Sequence, residues 1–324
     1  MNPLRNLMHL RRRQHALVAS FLVLAAVPYT MAPPARGDQP PPFSFQSEVN
    51  EVRLAFVATD QNNRDVATLS QADIAVVDNG TVIRRFRSLR RYPEVDLDAL
   101  LLIDASESLA REFSQEIAEA TQLIRAARWG SNDALSILSF GGLEAGFACI
   151  RNCRDLPPEA WVSKIHATGQ TPLYDAVVMG VEFLAKNRGL DRRPVLIILS
   201  DGRDTISKHC LRDAIDAALL AEVPVYALNT GDRKNGAGAS VLRQIAALTG
   251  GFSFSGAPAA SSTLASVLDE LRNAYVLTYE LPNHAQGLHS VIILPTINSN
   301  LRLRSRRAYY YTGAESSAQR RFLR

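Results

Sequence analysis

Apolar residues in the middle of the chain fall into two kinds of run that alternate. Residues 100–103 (LLLI), 134–140, 195–199 (VLIIL), 223–228 and 252–254 are short stretches dominated by apolar side chains. Between them, apolar positions recur at three- and four-residue spacing. Phe113, Ile117, Ala120, Ile124 and Ala127 form one such series, and Ala176, Val177, Gly180, Val181 and Leu184 another; 211–221 and 240–248 are further helical stretches. The first kind of run predicts strands buried on both faces, and the second predicts helices laid over them. The expected fold class is α/β, a Rossmann-like, doubly wound and mostly parallel sheet.

The flanks read differently. Residues 51–59 and 73–78 are β-like, Asp78-Asn79-Gly80-Thr81 is a hairpin signal, and 82–87 continues as a strand. After a helix over 264–272, the runs 274–279, 289–294 and 301–303 are again β-like. N- and C-terminal flanks are expected to close together into a smaller β module. The expected organisation is an N-terminal segment over 1–36, a proline-rich linker over 37–42 and a β module over 43–95. The α/β domain follows over 96–258, then a C-terminal helix and strands over 259–312 and a disordered tail over 313–324.

Charge changes this picture little. The whole chain of 324 residues carries a formal +4, but the five arginines of 1–36 face no acid there, so the remainder stands at −1. No overall basic field argues for nucleic acid. Those arginines matter for another reason. Arg11-Arg12-Arg13 precedes an apolar run of 12 residues (16–27), and small residues and prolines follow. That order is an export signal, with cleavage within 32–37. Twelve residues make about 18 Å of helix against roughly 30 Å of hydrocarbon. The alternative is an uncleaved anchor, which would be the protein's one contact with a membrane. The expected location is periplasm, cell envelope or medium.

Candidate chemistry sits at the strand ends, where doubly wound sheets bind ligands. Asp104-Ala105-Ser106-Glu107-Ser108 follows the 100–103 strand, and Ser200-Asp201-Gly202 follows the 195–199 strand. Carboxylates and hydroxyls suit a hard cation such as Mg²⁺, which takes oxygen ligands and retains waters. Ser106 or Ser108 can equally cap the helix that follows.

Asp-x-Ser-x-Ser after an apolar strand resembles the opening of the metal-ion-dependent adhesion site of von Willebrand factor A domains. Gly169-Gln170-Thr171-Pro172-Leu173-Tyr174-Asp175-Ala176 is similar to that site's threonine segment, and 195–202 to its aspartate segment. The resemblance covers about residues 97–255. It implies a divalent metal, Mg²⁺ or else Mn²⁺ or Ca²⁺, held by Asp104, Ser106, Ser108, Thr171 and Asp201. It also implies a protein ligand that completes the metal shell with an Asp or Glu carboxylate. Position 107 departs from the family: Glu107 stands where Gly is common, and it either adds a ligand or repels an acidic partner. The N-terminal β segment, the central domain and RSRRAYY at 304–310 together resemble a group of secreted bacterial proteins with a related domain, common in acidobacteria.

The other reactive residues are few. Cys149 and Cys153, four apart in the long loop expected between the 134–140 strand and Trp161, favour a disulfide in an oxidising compartment; Cys153–Cys210 is the other pairing, and a zinc set with His209 fits no common spacing. His166 reads as a partly buried or capping residue; a Ser106–His166 nucleophile and base pair lacks an orienting acid. Gly-x-Ser-x-Gly, His-Glu-x-x-His and a phosphate-cradling loop are absent from the sequence. The arginines Arg84, Arg85, Arg87, Arg90 and Arg91 read as the solvated face of a strand, or as a contact for an anionic surface polymer. The glycine-rich 231–238 reads as a flexible loop on the metal face. The expected function is a non-catalytic, metal-dependent binding module, with an accessory subunit of an enzyme as the alternative.

Overall fold

In chain order the strands are β1 (Glu51–Thr59), β2 (Ile74–Asp78), β3 (Thr81–Ile83), β4 (Ser88–Arg91), β5 (Asp96–Asp104), β6 (Ala134–Gly141) and β7 (Glu144–Cys149). They continue as β8 (Arg192–Ser200), β9 (Val225–Asn229), β10 (Ser253–Ser255), β11 (Tyr275–Glu280), β12 (Gly287–Pro295), β13 (Arg302–Ser305) and β14 (Ala308–Tyr311). The helices are α1 (Phe113–Ala126), α2 (Glu159–Val162), α3 (Leu173–Lys186), α4 (Leu211–Leu220), α5 (Ala237–Thr249) and α6 (Ala260–Asn273). The structure, a computed structural model, describes residues 51–91, 96–107, 113–187, 192–231, 236–255 and 260–313. The expected export segment, linker and tail lie outside the described residues, as does Ser108.

The central sheet has the order β10-β9-β8-β5-β6-β7. All its pairings are parallel except that of β7 with β6. Strand β5 shows why its apolar run is unbroken. Leu97, Ala99, Leu101 and Ile103 face one layer, with Ala120 and Ile124 of α1 and Leu268 and Leu271 of α6. Leu100 and Leu102 face the other, with Val177 and Leu184 of α3, Ile215 of α4 and Leu242 of α5. A strand covered on both sides has no solvated face to alternate with. The α/β doubly wound expectation is borne out.

The flanks interleave. Strand β1 lies between β13 and β11, with β4 beyond β11; β12 lies between β14 and β2, with β3 beyond β2. The two antiparallel sheets share a core that includes Leu54, Phe56, Val76, Leu277 and Val291. Neither flank can form this module alone, because each sheet takes strands from both ends of the chain. Asp78 is buried in that core and accepts bonds from the hydroxyls of Tyr279 at 2.8 Å and Tyr309 at 2.7 Å. Burial and the neighbouring carboxylate push both phenols well above the usual range. A polar clamp ties the module to the central sheet: Tyr226 of β9 donates to Glu270 of α6 at 2.6 Å, and Arg304 of β13 pairs with the same carboxylate.

Two local expectations fail. Residues 144–149, expected in a long loop, form the edge strand β7. Gly142, at φ +66°, turns the chain so that 144–149 folds back on β6 and supplies its backbone partners. Residues 84–87, expected to extend a strand, do not. Phe86 is buried there, and the chain crosses from β3 in one sheet to β4 in the other. Among the described residues no helix is long and apolar enough to cross a membrane.

Candidate metal centre

Parallel neighbours β5 and β8 end side by side, Ile103 opposite Leu199. Their next residues therefore meet at the carboxyl rim. Ser200 Oγ donates to Asp104 Oδ2 at 2.6 Å, and Asp104 Oδ1 accepts the Ser106 backbone N–H at 3.0 Å. Asp104 is fully buried. Burial pushes its carboxyl above the usual range; the Ser200 and Ser106 bonds oppose this, and the nearby charge of Asp201 adds to it. Among the described residues no cationic side chain pairs with Asp104.

The threonine segment is laced into the same rim by backbone bonds. Thr168 N–H donates to Ala105 O at 2.8 Å, Glu107 N–H to Gly169 O at 2.8 Å, and Gly142 N–H to Gln170 O at 2.7 Å. This threading needs small residues. A Cβ on Gly141 would stand 2.4 Å from Ala105 O, and Gly169, at φ +55°, touches Gly142. Thr171 is buried and bonds to the third segment twice: its N–H donates to Thr205 Oγ1 at 2.8 Å, and its carbonyl accepts Thr205 N–H at 2.9 Å. Asp201 accepts the Arg203 backbone N–H at 2.9 Å and lies 3.4 Å from the exposed Arg203 Nε. Gly202 lets α5 close over this segment, since a Cβ there would meet Gly238 O at 2.2 Å.

The structure thus brings together the segments that carry Asp104, Ser106, Thr171 and Asp201. Ser108 is outside the described residues. Glu107 is exposed at the rim, and its backbone, not its carboxylate, serves the loop bonding.

Three residues here were not singled out from sequence. Ser200 was quoted as part of Ser200-Asp201-Gly202 without its bond to Asp104. Asp175, one turn beyond Thr171, accepts the backbone N–H groups of Lys208 at 3.0 Å and His209 at 2.9 Å, and contacts His209 Nδ1 at 2.7 Å. Asp204 accepts Tyr174 N–H at 3.2 Å. Asp175 and Asp204 hold the loop after Asp201 on the start of α3. No local spacing signals a contact between residues thirty or more apart.

The strand order, the antiparallel edge and the three rim segments settle the layout. The central domain is a doubly wound, mostly parallel α/β sheet with one antiparallel edge strand, and its rim gathers the three segments that resemble the von Willebrand factor A site.

Solved structures similar to this chain include a von Willebrand factor type A protein from Catenulispora acidiphila. It is 13% identical, over 83% of this chain and 76% of that one, with a TM-score of 0.44. The manganese-loaded TRAP protein of Plasmodium vivax is 13% identical over 67% of this chain and 96% of that one, at 0.42. An aerotolerance-related membrane protein from Bacteroides fragilis is 15% identical over 54% of this chain and 98% of that one, at 0.40. Values this low say nothing of ligand or activity. The sequence matches no protein-family model and no curated protein.

The other candidates resolve simply. Cys149 and Cys153 are disulfide-bonded, with Cα atoms 5.6 Å apart, and Cys210 is free and exposed. The Cys153–Cys210 pairing and the zinc set fall with that bond. Among the described residues no three His, Cys, Asp or Glu side chains converge on a metal position. A cation at this rim would need hydroxyls beside its two carboxylates. His166 is exposed rather than partly buried. Of the glycine-rich 231–238, residues 232–235 lie outside the described residues. Gly231 packs against Asp201, where a Cβ would stand 2.9 Å from the Asp201 Cβ.

Proposed function

We propose that the central domain binds a divalent cation, Mg²⁺ or else Mn²⁺ or Ca²⁺, at the rim of its sheet and uses it to hold an Asp or Glu carboxylate of a protein partner. The observation that carries this reading is Asp104: a buried carboxylate, pushed up by burial, with a second carboxylate near it and only hydroxyl and N–H donors around it. A buried acid with a second, partly exposed acid near it is unfavourable unless a cation or a proton joins them. The donor set fits a hard cation. Asp104, Ser106, Thr171 and Asp201 offer oxygens alone, and Ser108 belongs to the same set by sequence.

A bound cation would supply Lewis acidity toward an incoming carboxylate. The chain's own residues do the rest. Ser200 fixes the Asp104 carboxylate, the Thr168 and Glu107 backbone bonds hold the first two segments together, and Thr205 ties the third to them. Neutral hydroxyls leave the ion more positive than an all-carboxylate shell would, which favours an anionic partner. We read the module as non-catalytic and exported.

Calorimetric titration of the full chain with Mg²⁺, Mn²⁺ and Ca²⁺, with Asp104→Asn and Thr171→Val beside it, tests the metal. Binding of an immobilised Asp-containing peptide series, with metal and with chelator, tests the carboxylate. Saturable binding that both variants abolish supports the reading. No heat with any of the three ions overturns it.

A further inference from the structure

Strand β12 alternates strictly: His289, Val291 and Ile293 point into the module, while Leu288, Ser290, Ile292 and Leu294 point out. An outward face in an antiparallel sheet is ordinarily polar. Here it is aliphatic. Ile292, Val77 and Val82 stand in register across three strands, and Leu294 lies in the next outward row. Val82 is 58% exposed, Ile292 47%, Leu294 44% and Ile297, just past β12, 74%. The β14 end of the same sheet is covered, since Ala308 and Tyr310 pack with α4 in the core. What remains open is the part formed by β12, β2 and β3.

Charge on this open part is net positive. Strands β3, β12 and β14 contain no acidic residue. Asp78 is buried on the other face, and Asp73, just before β2, is the one acid there that keeps an exposed charge, bonded to Ser70. Arg84 and Arg85 follow β3 directly, are exposed, and have no carboxylate partner among the described residues. Arg87, by contrast, is neutralised by Glu51, with Glu280 3.8 Å away.

We infer that this face, with its aliphatic row and the arginines Arg84 and Arg85 at its rim, docks the protein on an anionic lipid surface. Charge and area both favour that occupant. A second copy packed about a two-fold axis would set the same arginines on the same face as each other. Half-exposed aliphatic side chains of this number offer roughly a few hundred Å², against about 800 Å² per partner in a stable protein interface. A bilayer requires neither that area nor a matched shape. Aliphatic side chains enter the headgroup boundary, and each arginine near an anionic surface adds about fivefold to the partition constant.

The test is sedimentation of the full chain with vesicles of pure phosphatidylcholine and of phosphatidylcholine with 30% phosphatidylglycerol (mole fraction on the order of that in anionic leaflets), all in chelator. The chelator makes the outcome independent of the metal reading. Expected is binding to the anionic vesicles that falls with salt, that drops about 25-fold in Arg84→Gln/Arg85→Gln, and that also weakens in Ile292→Ser/Leu294→Ser. The control Arg125→Gln/Lys164→Gln, in the central domain, retains wild-type binding. Circular dichroism checks that each variant is folded, and Ile292→Thr replaces any that is not. Equal binding by wild type and the arginine variant overturns the inference. So does a concentration-dependent dimer, seen by analytical ultracentrifugation, that the Ile292→Ser/Leu294→Ser change disrupts.

Discussion

Asp104→Asn separates the two things the buried carboxylate does. In the folded protein its pKa is raised, with burial the largest cause. The sign follows from linkage. A group whose folded pKa lies above its unfolded value contributes stability below the unfolded pKa, and that contribution is lost as pH rises through the folded pKa. At neutral pH, without metal, ionised Asp104 is therefore a cost to the fold. Asparagine removes that charge and keeps the shape. Its carbonyl oxygen can still accept Ser106 N–H, and its amide can donate to Ser200 Oγ, which already accepts Gly202 N–H at 3.0 Å. The variant without metal should melt no more than about 4 °C below wild type, or above it, since a reversed hydrogen bond costs at most about 1 kcal/mol. The response to metal should vanish. A cation at 100 times its dissociation constant stabilises by about 2.7 kcal/mol, or roughly 5–11 °C for a chain of this size. Wild type should show that shift with Mg²⁺ in a thermal melt at pH 7.5, and progressively less as pH falls, because protons compete for the ionised carboxyl. A shift of equal size in Asp104→Asn would refute the reasoning at its centre.

Thr171→Val should keep the metal-free melting temperature within about 2 °C, because the Thr171 bonds to Thr205 are made by its backbone, yet weaken cation binding by about tenfold or more in calorimetry. Gly202→Ala should do the reverse of a clean site variant. Its Cβ would meet Gly238 O at 2.2 Å at φ +80°, so urea unfolding should show a loss of about 1–3 kcal/mol together with weaker metal binding. Cys149→Ser/Cys153→Ser opens a loop of sequence separation 4; the expected loss is about 2 kcal/mol, or roughly 4–8 °C by calorimetry, with metal affinity unchanged because the bond is remote from the rim. Asp78→Ala strands the hydroxyls of Tyr279 and Tyr309 in the module core, and should cost about 2–6 kcal/mol in urea unfolding.

What was legible in the sequence follows the range of the forces involved. Strands such as β5 and β8 declare themselves because both faces are buried, so the apolar run is continuous whatever the neighbours are. Helices α3 and α4 do so because one stripe of each is buried. Strand β7 does not. Its sequence, EAGFAC, carries glycine and two alanines, and it becomes a strand because β6 offers it an edge. The arginines after β3 alternate with apolar residues and imitate a strand. One buried side chain, Phe86, instead takes the chain across to the other sheet.

The candidate site divides the same way. Asp104 and the Ser200-Asp201 pair are legible because they are the first polar residues after buried apolar runs, and parallel pairing of those strands brings their ends together. Thr171 has no such position. It was found by likeness to a known segment, and that segment is fixed by bonds from Thr168 to Ala105, from Gly142 to Gln170 and between Thr171 and Thr205, each joining residues more than twenty apart. The loop after Asp201 depends in turn on Asp175, which lies on α3 and receives Lys208 and His209. Local sequence therefore specifies the oxygens at the strand ends, whereas the loops that would aim the remaining ligands are specified by contacts that exist only once the sheet has formed. For that reason a variant at Asp175, which precedes Asp201 by 26 residues, should act on cation affinity through the position of the Asp201 loop and leave the parallel sheet intact.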